Sequence, residues 1–417
     1  MGYDAENVGP LGPEQKAVPV AAWGVTAADW VAGRPALATL PTPLVTLDAG
    51  ALDHNRAAMA GWAASAGVDL APHGKTTMAP SLWRAQLDAG AWAVTVATPW
   101  QLAFALSAGV PRVLAAYPVL DPGVLRWLGQ PRSARVLVWA DGTDIVDAMA
   151  PHVAGSAQPL DVLVDVGAPG GRTGARTPGA ALATARAIAG TPGLRLAGVA
   201  GYEGSLAHDA SGASLATIRT YLASLREVHA ALGELYDGEA VLTAGGSAYF
   251  DEVAAALAPL HEPGRTRVVV RAGAYLAHDD GFYRGITPSN RDTGPRFRAA
   301  LHGWVRVISR PEPGLALADG GKRDLPFDEG LPEVQAIRRG GTAPAGPLEG
   351  AEVTALADQH TFVRLTGDAE TVRVGDVLRL GLSHPCTTFD KWGLLPVVDD
   401  ASADQPAVVD VVRTVFG

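Results

Sequence analysis

In Arg135-Val136-Leu137-Val138-Trp139-Ala140, five apolar residues follow one another without the polar alternation of a half-solvated sheet. A run of this kind reads as a strand covered on both faces, the state of strands in a parallel sheet. Working outward, similar short apolar runs recur at Val68–Pro72, Ala93–Ala97, Arg112–Ala116, Leu160–Val166, Leu196–Gly201, Glu239–Ala244 and Arg267–Arg271. Amphipathic, often Ala-rich stretches lie between them, such as Pro99–Ala108, Thr143–Met149, Pro178–Ala189 and Ser211–Leu232. Eight strands, spaced at about 20–40 residues per unit, predict an α/β chain with a (β/α)8 TIM-like barrel. The alternative is an open doubly wound sheet. It normally carries a Gly-rich dinucleotide fingerprint, and none follows the first strand.

Beyond residue 285 the texture changes. His302–Ser309, Leu315–Ala318, Glu352–Ala355, Thr361–Leu365 and Val377–Gly381 are short strand-like runs punctuated by Gly, Pro and Asp. The chain therefore divides into an arm over 1–42, a barrel over 43–285 and a mostly β domain over 286–417. Pro43–Asp48 is also strand-like and precedes the eight, so it is a candidate to join the β domain. The first ~20 residues lack periodicity and read as a loose arm.

Composition narrows the class. Of 417 residues, 48% are apolar and 18% charged, enough for a large core and too few charges for wholesale disorder. A net charge of −10 without a Lys/Arg cluster argues against a nucleic-acid partner. The single cysteine, Cys386, forbids an internal disulfide. No run approaches the ~18 apolar residues of a membrane span, and the first ten residues lack a secretory pattern. The expectation is a cytoplasmic protein with no membrane partner.

In a barrel, chemistry gathers where strands end. The first strand ends in Pro72-His73-Gly74-Lys75-Thr76. Gly-Lys-Thr is not a P-loop, because Asp69 stands where that motif needs its first glycine. A lysine held in an apolar pocket has a lowered pKa and becomes a nucleophile for Schiff-base formation; a solvated loop lysine is the plain alternative. The fifth strand leads to Gly170-Gly171-Arg172-Thr173-Gly174, a turn that lets backbone approach a ligand beside one guanidinium. It is equally readable as a flexible loop. The sixth ends in Gly201-Tyr202-Glu203-Gly204, where either side chain faces the cleft or caps the barrel. The seventh runs into Gly245-Gly246-Ser247 at a helix start, which offers N–H groups to an anion. Arg271-Ala-Gly273-Ala-Tyr275 closes the eighth. In the β domain, His384-Pro385-Cys386 places two zinc-type donors two residues apart, on the same side of an extended segment. Two ligands leave positions open for water or substrate, as in catalytic sites. A buried cysteine beside an ordinary histidine is the bland reading.

This ordered set resembles the fold-type III pyridoxal-phosphate enzymes of the alanine racemase-like group, and within it the zinc-dependent D-serine dehydratase and D-threonine aldolase family. The resemblance spans roughly residues 40–417. It implies that Lys75 forms the Schiff base with pyridoxal 5'-phosphate, with His73 beside it. Gly245, Gly246 and Ser247 would hold the phosphate, with Tyr275 nearby, while Arg172 would lie against the cofactor ring or its phenolate oxygen. Tyr202 would face the pyridine nitrogen and leave it largely unprotonated. His384 and Cys386 would bind Zn2+, or Mn2+ or another divalent cation, against the substrate β-hydroxyl. The implied activity is dehydration of a D-β-hydroxy amino acid, foremost D-serine to pyruvate and ammonia, by a homodimer. D-threonine aldol cleavage, D-threo-3-hydroxyaspartate dehydration and a non-catalytic cofactor carrier are the alternatives. A sugar- or phosphate-metabolising barrel with Lys75 bonded directly to its substrate is another. The sequence departs from the family where Thr-His-Lys usually follows the lysine: here Lys75 leads into Thr76-Thr77-Met78.

Overall fold

The structure is a computed structural model and describes residues 2–416. The predicted barrel is present. Its eight strands are β2 (Asp69–Leu70), β3 (Val94–Val96), β4 (Arg112–Ala115), β5 (Arg135–Ala140), β6 (Leu160–Val166), β7 (Leu194–Gly201), β8 (Ala240–Ala244) and β9 (Thr266–Val270). They are parallel, in the order β2-β9-β8-β7-β6-β5-β4-β3. Leu70 aligns with Val270 across β2 and β9. The remaining seam closes through Trp92 N–H to Leu70 O at 2.7 Å and Thr95 N–H to Pro72 O at 2.8 Å.

Local chemistry starts the intervening helices. Thr98 before Pro99, Asp121 before Pro122 and Thr177 before Pro178 each cap a helix with a side-chain oxygen, and proline occupies the first turn. The barrel interior has its own small core. Trp92, Leu114, Leu137, Trp139, Leu163, Val241 and Val269 fill it, with Ala71, Ala93, Ala197 and Ala200 giving the tryptophans room. The larger core lies outside, between strands, helices and the second domain.

That second domain is a ten-stranded sheet. It comprises β1 (Leu44–Asp48), β10 (Leu301–Glu312), β11 (Leu315–Asp319), β12 (Glu333–Arg338), β13 (Ala345–Pro347), β14 (Ala351–Leu356), β15 (His360–Leu365), β16 (Val377–Gly381), β17 (Leu394–Val398) and β18 (Val408–Arg413). The main path is β13-β12-β16-β10-β1-β17-β18, and β11, β15 and β14 extend from β10. Strand β1, counted by sequence with the 43–285 segment, lies in this sheet and not in the barrel. It pairs antiparallel with β10 and parallel with β17. The N-terminal segment is not loose either. Leu11, Ala17 and Val18 are buried. The Asp4 carboxylate accepts from the Ser81 hydroxyl at 2.6 Å and Arg413 N–H at 2.9 Å, and Asp4 N–H donates to Val411 O at 3.0 Å. No helix among the described residues is long and apolar enough to cross a membrane.

Candidate active site

A cavity of about 420 Å³ opens at the carboxyl ends of the barrel strands, and His384 and Cys386 of the β domain form part of its wall. From β2, a single tight turn (Gly74–Thr76) brings Lys75 into it. Burial lowers the Lys75 pKa; a Cys386 thiolate opposes this, and Arg172 and Arg271 push it further down. A buried amine among cations gives up its proton more readily than a solvated one, which suits it to act as a nucleophile. His73 beside it is held well below its usual pKa, first by burial and then by the charges of Lys75, Arg271 and Arg172, so its ring is neutral. Its Nδ1 is buried without a hydrogen-bond partner among the described residues. Glycine is required at 273, where a Cβ would stand 2.7 Å from the His73 Cβ and 2.8 Å from its carbonyl oxygen.

The loop after β6 delivers Arg172, whose guanidinium lies 4.3 Å from the centre of the Tyr202 ring. Arg176 shapes that loop by donating to the carbonyls of Thr173 at 2.8 Å and Gly174 at 2.9 Å. At the root of the loop, Asp165 lines the cavity and accepts from the Thr173 hydroxyl at 2.8 Å. Burial raises its pKa to about 6; the Thr173 bond opposes this and Asp141 adds to it. Burial and the neighbouring Glu203 keep Tyr202 a neutral phenol.

Two expected contacts differ. The N–H groups of Gly245 and Gly246 already have an acceptor, the fully buried Glu203 carboxylate, at 3.0 and 2.6 Å. Gly246 and Ser247 do line the cavity, and the Ser247 hydroxyl oxygen accepts from Gly273 N–H at 3.3 Å and Ala274 N–H at 3.1 Å. Tyr275 lies outside the cavity: it is buried against Phe297, with its hydroxyl accepting from Gln86 at 2.8 Å. The helix start at Ser247 is also displaced, because the helix runs only from Phe250 to Leu257.

His384 and Cys386 converge, but not on an extended segment. Pro385 has helical angles (φ −57°, ψ −40°), and Cys386 opens the short helix Cys386–Phe389. His384 Nδ1 meets Asp328 Oδ2 at 2.6 Å, and Thr387 donates to the other Asp328 oxygen at 2.6 Å. Cys386 Sγ stands 3.4 Å from Thr76 Oγ1, next to Lys75. Burial alone would raise the Cys386 pKa, but hydrogen bonds from His384 and Thr76 and the charge of Lys75 lower it, which favours the thiolate that metals bind. No third His, Cys, Asp or Glu joins the pair as a metal-binding group among the described residues.

Sequence reasoning missed Asp328, Tyr283, Asp165 and Trp139. Asp165 and Trp139 sit on strands that the apolar runs identify, whereas Tyr283 lies in the short helix Phe282–Ile286 and Asp328 in a turn, neither with a local signature. In the sequence Arg271 stands out only as part of a motif. It is 1% exposed, donating to Thr243 Oγ1 at 2.7 Å and Gly201 O at 2.6 Å, and it stacks on Trp139 with 5.0 Å to the ring centre.

The donor sets fit the two expected groups. Lys75, Arg172 and Arg271 make the cavity cationic, as an anionic aldehyde cofactor requires, and Gly246, Ser247, Gly273 and Ala274 form the wall beside them. For a metal, an imidazole whose other ring nitrogen is held by a carboxylate is the arrangement that orients a ligand histidine.

Comparison with known proteins agrees with this picture. Residues 300–398 match the family described as "Putative serine dehydratase domain". A D-threonine aldolase from Arthrobacter sp is 29% identical over 377 residues, spanning 88% of this chain and 92% of that one. A D-threonine aldolase structure from Filomicrobium marinum superposes with a TM-score of 0.76 at 24% identity, covering 90% of this chain and 96% of the other. The D-threo-3-hydroxyaspartate dehydratase from Delftia sp. HT23 gives 0.73 at 23% identity, covering 92% and 100%. A cysteine-to-alanine variant of D-threo-3-hydroxyaspartate dehydratase has been solved in a metal-free form. The resemblance to the alanine racemase-like, fold-type III group is thus borne out, as is the barrel with a mostly β second domain.

Proposed function

We propose that this chain is a pyridoxal-phosphate- and divalent-metal-dependent lyase that eliminates water from a D-3-hydroxy amino acid, with D-serine as the first substrate to test. The observation that carries the reading is the meeting of the His384–Cys386 pair with the Lys75 turn in one cavity of one chain. The serine dehydratase match over 300–398 includes both members of that pair and supports D-serine.

Lys75, Arg172 and Tyr202 would hold the cofactor ring, Ser247 with the neighbouring Gly246 and Gly273 wall its phosphate, and His384 with Cys386 a zinc or similar ion. When bound, the cofactor supplies an electron sink for charge at the substrate Cα, and the metal a Lewis acid for the departing hydroxyl. The chain's own residues do the rest. Lys75, whose pKa burial lowers, would take the Cα proton once it is released as the free amine. Tyr202, held as a neutral phenol, would withhold a full proton from the cofactor's ring nitrogen. Arg172 covers the Tyr202 ring and closes that side of the cavity. Asp328 fixes the ring orientation of His384, leaving its other nitrogen for the metal.

Release of 2-oxo acid from D-serine, D-threonine and D-threo-3-hydroxyaspartate, with L-serine as control and with or without chelator, tests the reading. Oxo acid from D-isomers only, lost with chelator and restored by zinc, is the expected result. Glycine and acetaldehyde from D-threonine would replace dehydration with aldol cleavage, the second reading favoured by the 29% identical aldolase. Bound cofactor without turnover on any substrate would leave a carrier. An absence of cofactor would point to a barrel that bonds a carbonyl substrate directly. The same proposal has the chain working as a homodimer: Tyr117, on the cavity wall, is 45% exposed, as is fitting for a rim that a second copy covers. Sedimentation checks it.

A further inference from the structure

Beside His384 and Cys386 stands a hydroxyl with no hydrogen-bond partner among the described residues, that of Tyr283 on the cavity wall. Its ring meets the His384 imidazole edge to face, with 6.5 Å between centres and 61° between planes. The neighbouring hydroxyls are engaged. Thr76 Oγ1 stands 3.4 Å from Cys386 Sγ, Thr387 donates to Asp328 at 2.6 Å, and Thr388 donates to His384 O at 2.9 Å.

Tyr283 is held firmly in the short helix Phe282–Ile286. The Asp279 carboxylate accepts from Gly281 N–H at 3.0 Å and Arg284 N–H at 3.1 Å, which fixes the turn into that helix. Asp280 N–H donates to Leu382 O at 2.9 Å. A Cβ on Gly281 would stand only 2.8 Å from Ser383 Cα, so the two segments touch backbone to backbone. Tyr283 is thereby placed against the same stretch of chain that delivers His384.

A polar group left without a partner on a cavity wall is free for a ligand atom. In the function proposed above, on which this inference rests, the atom beside the His384–Cys386 pair is the β-oxygen of the substrate. When the Cβ–O bond breaks, both electrons stay on that oxygen. A donor already in place stabilises the charge it gains, and a phenol that keeps its own proton does so without altering the proton count. We propose that Tyr283 touches the substrate and donates a hydrogen bond to its departing β-oxygen.

The test sets the D-3-hydroxy amino acid that the holoenzyme dehydrates, D-serine first, against β-chloro-D-alanine, whose chloride leaves as a stable anion and needs no donor. Tyr283→Phe should release 2-oxo acid from the hydroxy substrate about 100-fold more slowly at saturation. It should turn over β-chloro-D-alanine at the unaltered rate, with zinc content and cofactor absorption unchanged. An unchanged rate on the hydroxy substrate overturns the inference. So does an equal loss on both substrates, which would make Tyr283 a positioning residue or a partner of the shared carboxylate, and so does a loss of zinc. An unaltered protein that dehydrates none of the D-3-hydroxy amino acids fails as the proposed lyase and takes this donor with it, a result seen before any variant is made.

Discussion

Cys386 Sγ lies 3.4 Å from Thr76 Oγ1, so the β domain touches the barrel one residue from Lys75. The proposed metal ligands and the proposed Schiff-base lysine are thereby joined within a single chain. Lys75 feels the Cys386 thiolate as the main force opposing its own deprotonation.

Asp328 should behave as a positioning residue for the metal. It grips His384 Nδ1 and the Thr387 hydroxyl at once. Asp328→Ala is expected to weaken zinc binding by about 10–100-fold while leaving cofactor absorption intact. Metal titration of the chelator-stripped protein, followed beside the visible spectrum, separates the two effects.

Glu203 should be structural for the site. Replacing it with Ala leaves the Gly245 and Gly246 N–H groups buried and without an acceptor. A loss of about 2–4 kcal/mol in urea unfolding of the cofactor-free protein is expected. Glu203→Gln, which can still accept from one of them, should lose less.

Asp165 gives a pH signature. Its folded pKa is raised by burial from 3.8 to about 6, so the folded state keeps a proton that the unfolded chain has released. Between those values the native state binds more protons, and stability falls as pH rises. Relative to Asp165→Asn, the unaltered protein should lose about 3 kcal/mol between pH ~4 and pH ~7. Denaturant curves of both proteins near those two pH values measure it, and parallel pH profiles would show that Asp165 does not titrate this way.

Gly273→Ala forces a methyl group into His73, whose Cβ, carbonyl oxygen and backbone nitrogen all lie within 2.9 Å of the new atom. Repacking there should cost about 1–3 kcal/mol. Because the displaced residues include the Gly273 N–H that reaches Ser247, cofactor affinity should fall as well. Equilibrium dialysis of pyridoxal phosphate reads the second effect and a melting curve the first.

The barrel was legible because burial on both faces writes itself as apolar runs. Arg135–Ala140 and Leu160–Val166 match the observed strands residue for residue. The second domain was harder. β17 reads Leu394-Leu-Pro-Val-Val398, and its proline disguises a strand that pairs with both β1 and β18. At the site, Lys75, Arg172, Tyr202, Ser247, His384 and Cys386 do share one cavity wall. Asp328 could not be read, since its role arises from a contact spanning 56 residues. The Gly245-Gly246 turn misled for a related reason. Glycine there signals backbone N–H groups seeking an anion, and the fold supplies one internally in Glu203.

The position of β1 between β10 and β17 has a consequence for biogenesis. A ribosome releases β1 early, yet its neighbours on both sides are made only after the whole barrel, from 69 to 270, has emerged. The barrel strands pair with near neighbours in the chain and can assemble as they appear, whereas the second sheet is knitted from the two ends of the polypeptide. Until its last partners arrive, β1 is a hydrophobic strand waiting with both edges bare, and that interval is when a nascent chain of this design most needs a chaperone's cover.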